Sequence, residues 1–136
     1  MGLVNWAGNL TYRASALHTP TSIEETQGLV AELPRVKAIG TRHSFSAVAD
    51  SPGGALISVE GLDMDLDINE KGKTATFTGA HSYAAVAAAL EAEGWALQNM
   101  GSLPHISVVG GTDTGTHCLG DHNGILSTSI RAAELI

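Results

Sequence analysis

The chain has 136 residues, of which 43% are hydrophobic and 15% charged, which suits one globular domain and excludes a disordered protein. Its net charge is -7 and its seven cationic residues are scattered, which argues against nucleic acid as a partner. No secretory signal opens the chain, no apolar run is long enough to cross a membrane, and a single cysteine excludes an internal disulfide. These features predict a cytoplasmic protein that neither binds nor crosses a membrane.

The first half of the chain predicts one helix and two strands. The segment HTPTSIEETQGLVAELP predicts a helix with Thr21 or Ser22 as its N-cap, each with a glutamate three positions later, and an end at Pro34. The run RVKAIG then predicts a buried strand and ALISVE a second strand. Between them, TRHSFSAVADSPGG is predicted to be a long loop.

The second half predicts a hairpin, a helix and two further strands. Apolar and polar residues alternate on both sides of NEKG, which predicts a hairpin, and the alanine-rich segment SYAAVAAALEAEG predicts a helix that ends at Gly94. WALQNM and ILSTSIRAAELI are interpreted as strands. This order predicts an α+β domain of small sheets packed against helices. The last residues, AAELI, predict a cut inside a strand pair, and hence a fragment that could self-associate through an exposed sheet edge.

The first candidate functional segment is the loop GTRHSFS. We expect Gly40 to let the chain turn tightly after the strand, so that consecutive N–H groups form a concave anion site. Thr41, Ser44 and Ser46 add hydroxyl groups, and Arg42 adds a positive charge. The loop could therefore hold a pyrophosphate, although it matches neither the P-loop nor GxGxxG. The alternative is a surface turn with a solvated histidine.

The second candidate segment is NMGSLPHISVVGGTDTGTHCLGDHNG. Long loops without secondary structure are usually functional in compact domains. Gly110, Gly111 and Gly115 would let the backbone approach a flat or charged ligand. The alternative is a flexible linker.

A metal site in the second segment is a further hypothesis. Four neighbouring residues are of metal-ligating types: His117, Cys118, Asp121 and His122. Their spacing matches no standard zinc module, and adjacent His and Cys side chains do not easily point at one ion. We therefore predict no metal.

Several motifs together resemble a known family. NWAGN, PTSIEE, VKAIGTRHSFSAVADS, and NMGSLPHISVVGG followed by TGTH are similar to the flavin-binding domain of the vanillyl-alcohol oxidase family. The nearest branch is that of the alditol and xylitol oxidases, close to the aldonolactone oxidases. The resemblance implies an α+β, PCMH-type FAD-binding domain over residues 1–136. It also implies that the C-terminal end of this domain and the whole substrate domain are missing.

The resemblance also implies the cofactor FAD and its contacts. The residue matching His43 is bonded to the 8α-methyl carbon of the flavin in the family, so His43 is the expected covalent site. The expected FAD contacts are Gly40, Thr41, Arg42, His43, Ser44, Phe45, Ser46, Ser102, Ser107, Gly110, Gly111, Gly115, Thr116 and His117. Ser102 is also expected to face the substrate. Two residues depart from the family pattern, Cys118 in place of glycine and Asp113 in place of a small or apolar residue.

The activity implied by the resemblance is that of an alditol oxidase. Hydride passes from a polyol carbinol to flavin N5, and dioxygen then accepts the electrons to give hydrogen peroxide. The groups that bind the polyol belong to the missing domain, so no catalytic residue is predicted in this chain, which alone is expected to be inactive. The alternatives are a stand-alone FAD or nucleotide-binding module without turnover, and a self-associating fragment without ligand.

Overall fold

The computed structural model describes residues 2–79, 81–117 and 120–136. The chain divides into two compact units, the first extending to Leu62 and also including Ile136, and the second comprising Asp63–Leu135. The sequence suited one domain and did not indicate this division.

The first unit is built on a three-stranded parallel sheet. Its strands are β1 (Ala16–His18), β2 (Val36–Ala38) and β3 (Ala55–Ile57), in the order β1-β3-β2. The strands expected in RVKAIG and ALISVE are therefore confirmed, and β1 was not predicted. The central strand β3 is wholly buried, whereas β2 is an edge strand with an exposed Lys37. The expectation that β2 is buried was wrong, because a run of small and apolar residues does not tell an edge strand from a central one.

Helix α1 (Ile23–Glu32) lies between β1 and β2 in the chain and starts at the second of the two proposed caps. Ser22 is the N-cap residue, and its Oγ accepts from the N–H of Glu25 at 3.1 Å. The Glu25 carboxylate in turn accepts from the N–H of Thr21 at 2.9 Å. Both bonds satisfy N–H groups that have no partner within the helix.

The core of the first unit combines sheet residues with the segment that precedes β1. Tyr12, Ala14, Ile39 and Leu56 form the buried cluster. Partly buried apolar residues pack around it, namely Leu3, Leu10, Leu17 and Ala49. The N-terminal segment is thereby fixed to the sheet beneath the first candidate loop.

The second unit contains the predicted hairpin and helix. Strands β4 (Asp67–Asn69) and β5 (Thr74–Thr76) pair antiparallel, and α2 (Tyr83–Ala92) follows them. Ser82 caps α2 by accepting from the N–H of Ala85 at 3.2 Å, and Gly94, at φ +77°, ends it. One face of α2 is buried through Tyr83, Val86 and Leu90. Both predictions are confirmed.

Three expectations for the second half were wrong. WALQNM forms no strand, and ILSTSIRAAELI contains a short 3-10 helix (Leu126–Ser129) followed by irregular chain. The Gly-rich segment is not structureless, because α3 (Val108–Asp113) lies within it. Alternation alone does not make a strand when no neighbouring strand pairs with its backbone.

The secondary structure is compatible with the α+β expectation, with two small sheets and three α-helices among the described residues. The longest of these helices, α1 and α2, have 10 residues each. Within the described ranges, therefore, none has the length and apolar character needed to cross a bilayer.

Candidate functional site

A small pocket opens at the carboxyl edge of the parallel sheet in the first unit. Thr19, Gly40 and Ser58 come just after the ends of β1, β2 and β3, and all three line it. The remaining lining residues are Leu3, Leu17, Ile39, Arg42 and Glu60. Ligands of parallel sheets commonly bind beyond the carboxyl ends of the strands, which makes this edge the candidate site.

The volume of this pocket limits what it holds. The pocket measures about 110 Å³, whereas pockets that enclose a small molecule start at roughly 300 Å³. By itself it therefore takes only a part of a ligand of dinucleotide size. Arg42 and Glu60 put opposite charges on its wall, so the part held is polar.

The tight turn of the first loop falls on Arg42 and not on Gly40. Arg42 has φ +60°, whereas Gly40 is not among the residues with positive φ. A left-handed backbone costs a residue with a side chain roughly 1–2 kcal/mol. Such strain is concentrated at functional sites, where the surrounding structure maintains it. Here the Arg42 carbonyl accepts from the N–H of Trp6 at 2.8 Å, and Arg42 Nη1 donates to the Val4 carbonyl at 3.4 Å.

The first loop presents backbone donors of the kind an anion site needs. Among the described residues, the N–H groups of Arg42, Ser44 and Phe45 donate to no protein acceptor. Ser46 donates its N–H to Ser44 Oγ at 3.2 Å, and the two hydroxyl oxygens are also 3.2 Å apart. The hydroxyls thus shape the turn, while the three N–H groups and the Arg42 side chain fit an anionic group such as a pyrophosphate.

The imidazole of His43 contacts two aromatic rings. The Trp6 indole stacks on it with ring centres 4.4 Å apart and planes at 21°. Phe45 approaches edge-on at 6.0 Å and 84°. Nε2 of His43 is buried, while Trp6 and Phe45 are 62% and 63% exposed. The motif NWAGN was noted in the sequence, but no local pattern connects Trp6 to a loop so far along the chain.

A turn over Val4–Leu10, here called the N-terminal turn, supports this stack. Its centre is Asn5, which is only 2% exposed. Asn5 Oδ1 accepts from the Leu10 N–H at 3.0 Å, and Nδ2 donates to Asn9 Oδ1 at 2.8 Å and to the Ser44 carbonyl at 3.0 Å. The side chain of Asn5 therefore both closes the turn and fastens it to the first loop.

Tyr12 is the titratable group beneath the loop with a shifted pKa. Burial raises the pKa of Tyr12 above its usual 10.0; the positive charge of Arg42 opposes this shift and Asp50 adds to it. The Tyr12 hydroxyl is buried without a hydrogen-bond partner in the part of the chain that the structure describes. Asp50 accepts from the backbone N–H of Arg13 at 3.0 Å and from its Nε at 3.4 Å.

In the second unit, helix α3 accounts for two of the expected ligand-binding glycines. Ser107 Oγ accepts from the N–H of Gly110 at 3.2 Å, and the Ser107 carbonyl accepts from that of Gly111 at 2.9 Å. A Cβ on Gly110 would lie 2.7 Å from Ser107 Oγ, and one on Gly111 would lie 2.9 Å from Tyr83 Cε2. Both glycines therefore have close neighbours within the unit, and their contact with a ligand stays a prediction.

Gly115, Thr116 and His117 follow α3 in the chain, whereas Ser102 precedes it. Gly115 has φ +69°, and the N–H of Thr116 donates to the Gly111 carbonyl at 3.2 Å, which closes the helix. Ser102, Gly115 and His117 are exposed.

The residues proposed as metal ligands form no cluster in the part of the chain that the structure describes. No group of three or more metal-ligating side chains is found across residues 2–79, 81–117 and 120–136. Cys118 lies outside the described residues, so the expectation of no metal stays a prediction.

Comparisons with known proteins match the chain to one domain family and to several oxidases and dehydrogenases. The FAD binding domain family matches residues 14–136. The chain is 40% identical to an alditol oxidase from a Streptomyces species, over 98% of this chain and 33% of that protein. It is 31% identical to L-gulono-1,4-lactone dehydrogenase of Mycobacterium tuberculosis (97% and 32%) and 29% identical to L-gulonolactone oxidase of Bos taurus (97% and 31%). The chain spans about a third of the length of these curated relatives.

Proposed function

We propose that this chain docks FAD in a flavin-dependent sugar-alcohol oxidase. The premise is that the chain belongs to the family of PCMH-type FAD-binding domains, in the alditol oxidase branch, with FAD as its cofactor. The observation that carries this proposal is the first loop. Its Gly40 and Arg42 line the small pocket at the carboxyl edge of the sheet, and the N–H groups of Arg42, Ser44 and Phe45 donate to no acceptor among the described residues.

In this proposal the first loop, Gly40–Ser46, holds the pyrophosphate. The N–H groups of Arg42, Ser44 and Phe45 bind phosphate oxygens, and the guanidinium balances their charge. The partial size of the pocket supports this assignment, because it suits one polar portion of a dinucleotide.

The second segment contacts the flavin ring and the rest of the pyrophosphate. The residues assigned by the family resemblance are Ser102, Ser107, Gly110, Gly111, Gly115, Thr116 and His117. The exposure of Ser102, Gly115 and His117 supports their part in this assignment. Ser102 further presents its hydroxyl to the polyol.

His43 is the proposed point of covalent attachment. An imidazole nitrogen bonds to the 8α-methyl carbon of the flavin, and one C–H and one N–H bond are lost. Dioxygen accepts the two electrons and two protons, so that one hydrogen peroxide forms for each bond made. The attacking nitrogen must be the unprotonated one of the neutral ring, because only that nitrogen offers a lone pair, and the N–H bond that is lost is the one on the other ring nitrogen.

When bound, FAD would supply the electron acceptor, at N5, for a hydride from the polyol carbinol, and dioxygen would then be reduced to hydrogen peroxide. The described residues of this chain contribute binding and orientation. The first loop fixes the cofactor, and the exposed Ser102 hydroxyl orients the polyol, so that the carbinol carbon meets the ring in one geometry.

Calorimetric titration with FAD, FMN and riboflavin tests the docking. We expect FAD to bind most tightly, because riboflavin lacks the pyrophosphate and adenosine and FMN has a single phosphate. Equal dissociation constants for FAD and riboflavin would contradict a pyrophosphate site in the first loop.

A further inference from the structure

We infer that Trp6 is a positioning residue for His43, holding the imidazole in one orientation so that it can bond to the flavin. This inference rests on the proposed attachment at His43. Trp6 contacts the His43 imidazole, which is the ring that reacts, and it affects the attachment only by holding that imidazole.

The N-terminal turn holds the loop on both sides of His43. The N–H of Trp6 donates to the carbonyl of the preceding Arg42 at 2.8 Å, and Asn5 Nδ2 donates to the carbonyl of the following Ser44 at 3.0 Å. The indole then covers one face of the imidazole at 4.4 Å. Two backbone hydrogen bonds, one on each side of His43 in the chain, and one ring contact thus hold His43 in place.

The support beneath the indole is rigid. Asn5 is buried and uses its backbone N–H, its backbone carbonyl and both side-chain polar atoms within the turn and the loop. Gly8 has φ +70° and donates its N–H to the Asn5 carbonyl at 3.0 Å, which closes the turn. The indole is therefore presented by a locked backbone, although the side chain itself is largely exposed.

Orientation matters for the bond that forms. A reacting nitrogen must point at its carbon within a narrow range, and a displacement of about 1 Å can slow such a step about a hundredfold. Turning the imidazole out of its plane about the Cβ–Cγ bond would break the stack with Trp6 and change the edge contact with Phe45. The stack therefore restricts the plane of the ring to one near that observed.

The test compares Trp6→Leu with the conservative Trp6→Phe. Trp95→Leu is the matched control, because it makes the same change at the only other tryptophan, which lies in the second unit. The first-order rate of appearance of acid-stable flavin is measured at saturating FAD, and the dissociation constant is taken from the rapid quenching of flavin fluorescence. We expect Trp6→Leu to slow attachment about tenfold or more, with Trp6→Phe and Trp95→Leu within about threefold of the parent chain and all dissociation constants within about twofold.

A second measurement needs no flavin. NMR of the histidine ring protons is expected to show the His43 resonances shifted by the indole ring current, and this shift should vanish in Trp6→Leu. An unchanged His43 resonance, equal attachment rates in the parent and Trp6→Leu, or equal slowing in Trp95→Leu would each overturn the positioning role and leave the proposed attachment standing. No attachment in the parent chain would overturn the proposed attachment, and the positioning role with it.

Discussion

Gly111 of α3 lies so close to Tyr83 of α2 that a Cβ on Gly111 would stand 2.9 Å from Tyr83 Cε2. Ile106 Cδ1 would be 3.3 Å away on another side. The absence of a side chain at Gly111 is thus what allows the two helices of the second unit to meet.

Gly111→Ala is expected to lower the free energy of unfolding by about 1–3 kcal/mol, because the added methyl overpacks this contact. Gly28→Ala is the control, since Gly28 lies inside α1 and a Cβ there meets nothing within 4 Å. That change should raise the free energy of unfolding by up to about 1 kcal/mol through helix propensity. Urea denaturation measures both, and an unchanged midpoint for Gly111→Ala would refute the packing argument.

Asn5→Ala is expected to lower the free energy of unfolding by about 2–3 kcal/mol, because the buried Asn5 side chain makes three part-buried hydrogen bonds, to Asn9, Leu10 and Ser44, that would all be lost. Asn69→Ala removes a single bond in an exposed turn, from the N–H of Gly72 to Asn69 Oδ1, and should cost about 1 kcal/mol or less. Equal effects of the two changes in urea titrations would show that Asn5 does not organise the N-terminal turn.

Arg42→Gly separates backbone strain from charge. The glycine relieves the left-handed strain at φ +60°, so thermal stability should not fall. Loss of the guanidinium should weaken FAD binding about tenfold or more, while riboflavin binding stays within about twofold. Arg131→Gly removes the same charge from exposed chain in the second unit and is the control. If Arg42→Gly bound FAD as tightly as the parent in calorimetry, Arg42 would have no part in the pyrophosphate site.

Tyr12 makes stability depend on alkaline pH. Because its pKa is raised in the folded chain, the unfolded chain loses the proton first as pH rises above 10.0. The free energy of unfolding should therefore fall as pH increases above that value. Tyr12→Phe should flatten this dependence and leave stability at neutral pH unchanged or higher, because the removed hydroxyl has no partner among the described residues. Identical pH profiles for the two proteins in urea titrations would exclude this role of Tyr12.

Local signals in the sequence predicted much of the fold. The cap of α1, the glycine that ends α2 and the NEKG turn all act within a few residues, so the sequence alone indicates them. Strand β1 was missed because ALH is too short to show a period, and it exists through its pairing with β3. The strand predicted in WALQNM is absent for the opposite reason, since the segment has an apolar pattern but pairs with no strand among the described residues.

For the candidate site, too, local sequence patterns indicated some features and missed others. Residue types and order indicated the loop around His43, because glycine, hydroxyl and cationic residues follow a strand there. The stack of Trp6 on His43 and the anchor from Asn5 to Ser44 depend on contacts between distant parts of the chain. That Gly110 and Gly111 contact the ligand stays a prediction; the structure adds that both also take part in capping and packing inside the second unit, which the sequence did not indicate.

The most direct test of the account is the position of covalent flavin after incubation of the chain with FAD. The protein is precipitated with acid, digested, and its flavin-bearing peptide identified by mass spectrometry. We expect the flavin on the peptide that contains His43, and its loss in His43→Ala with reversible FAD binding retained. Flavin on His105, His117 or Cys118 instead would contradict the assignment of the first loop to the dimethylbenzene edge of the ring.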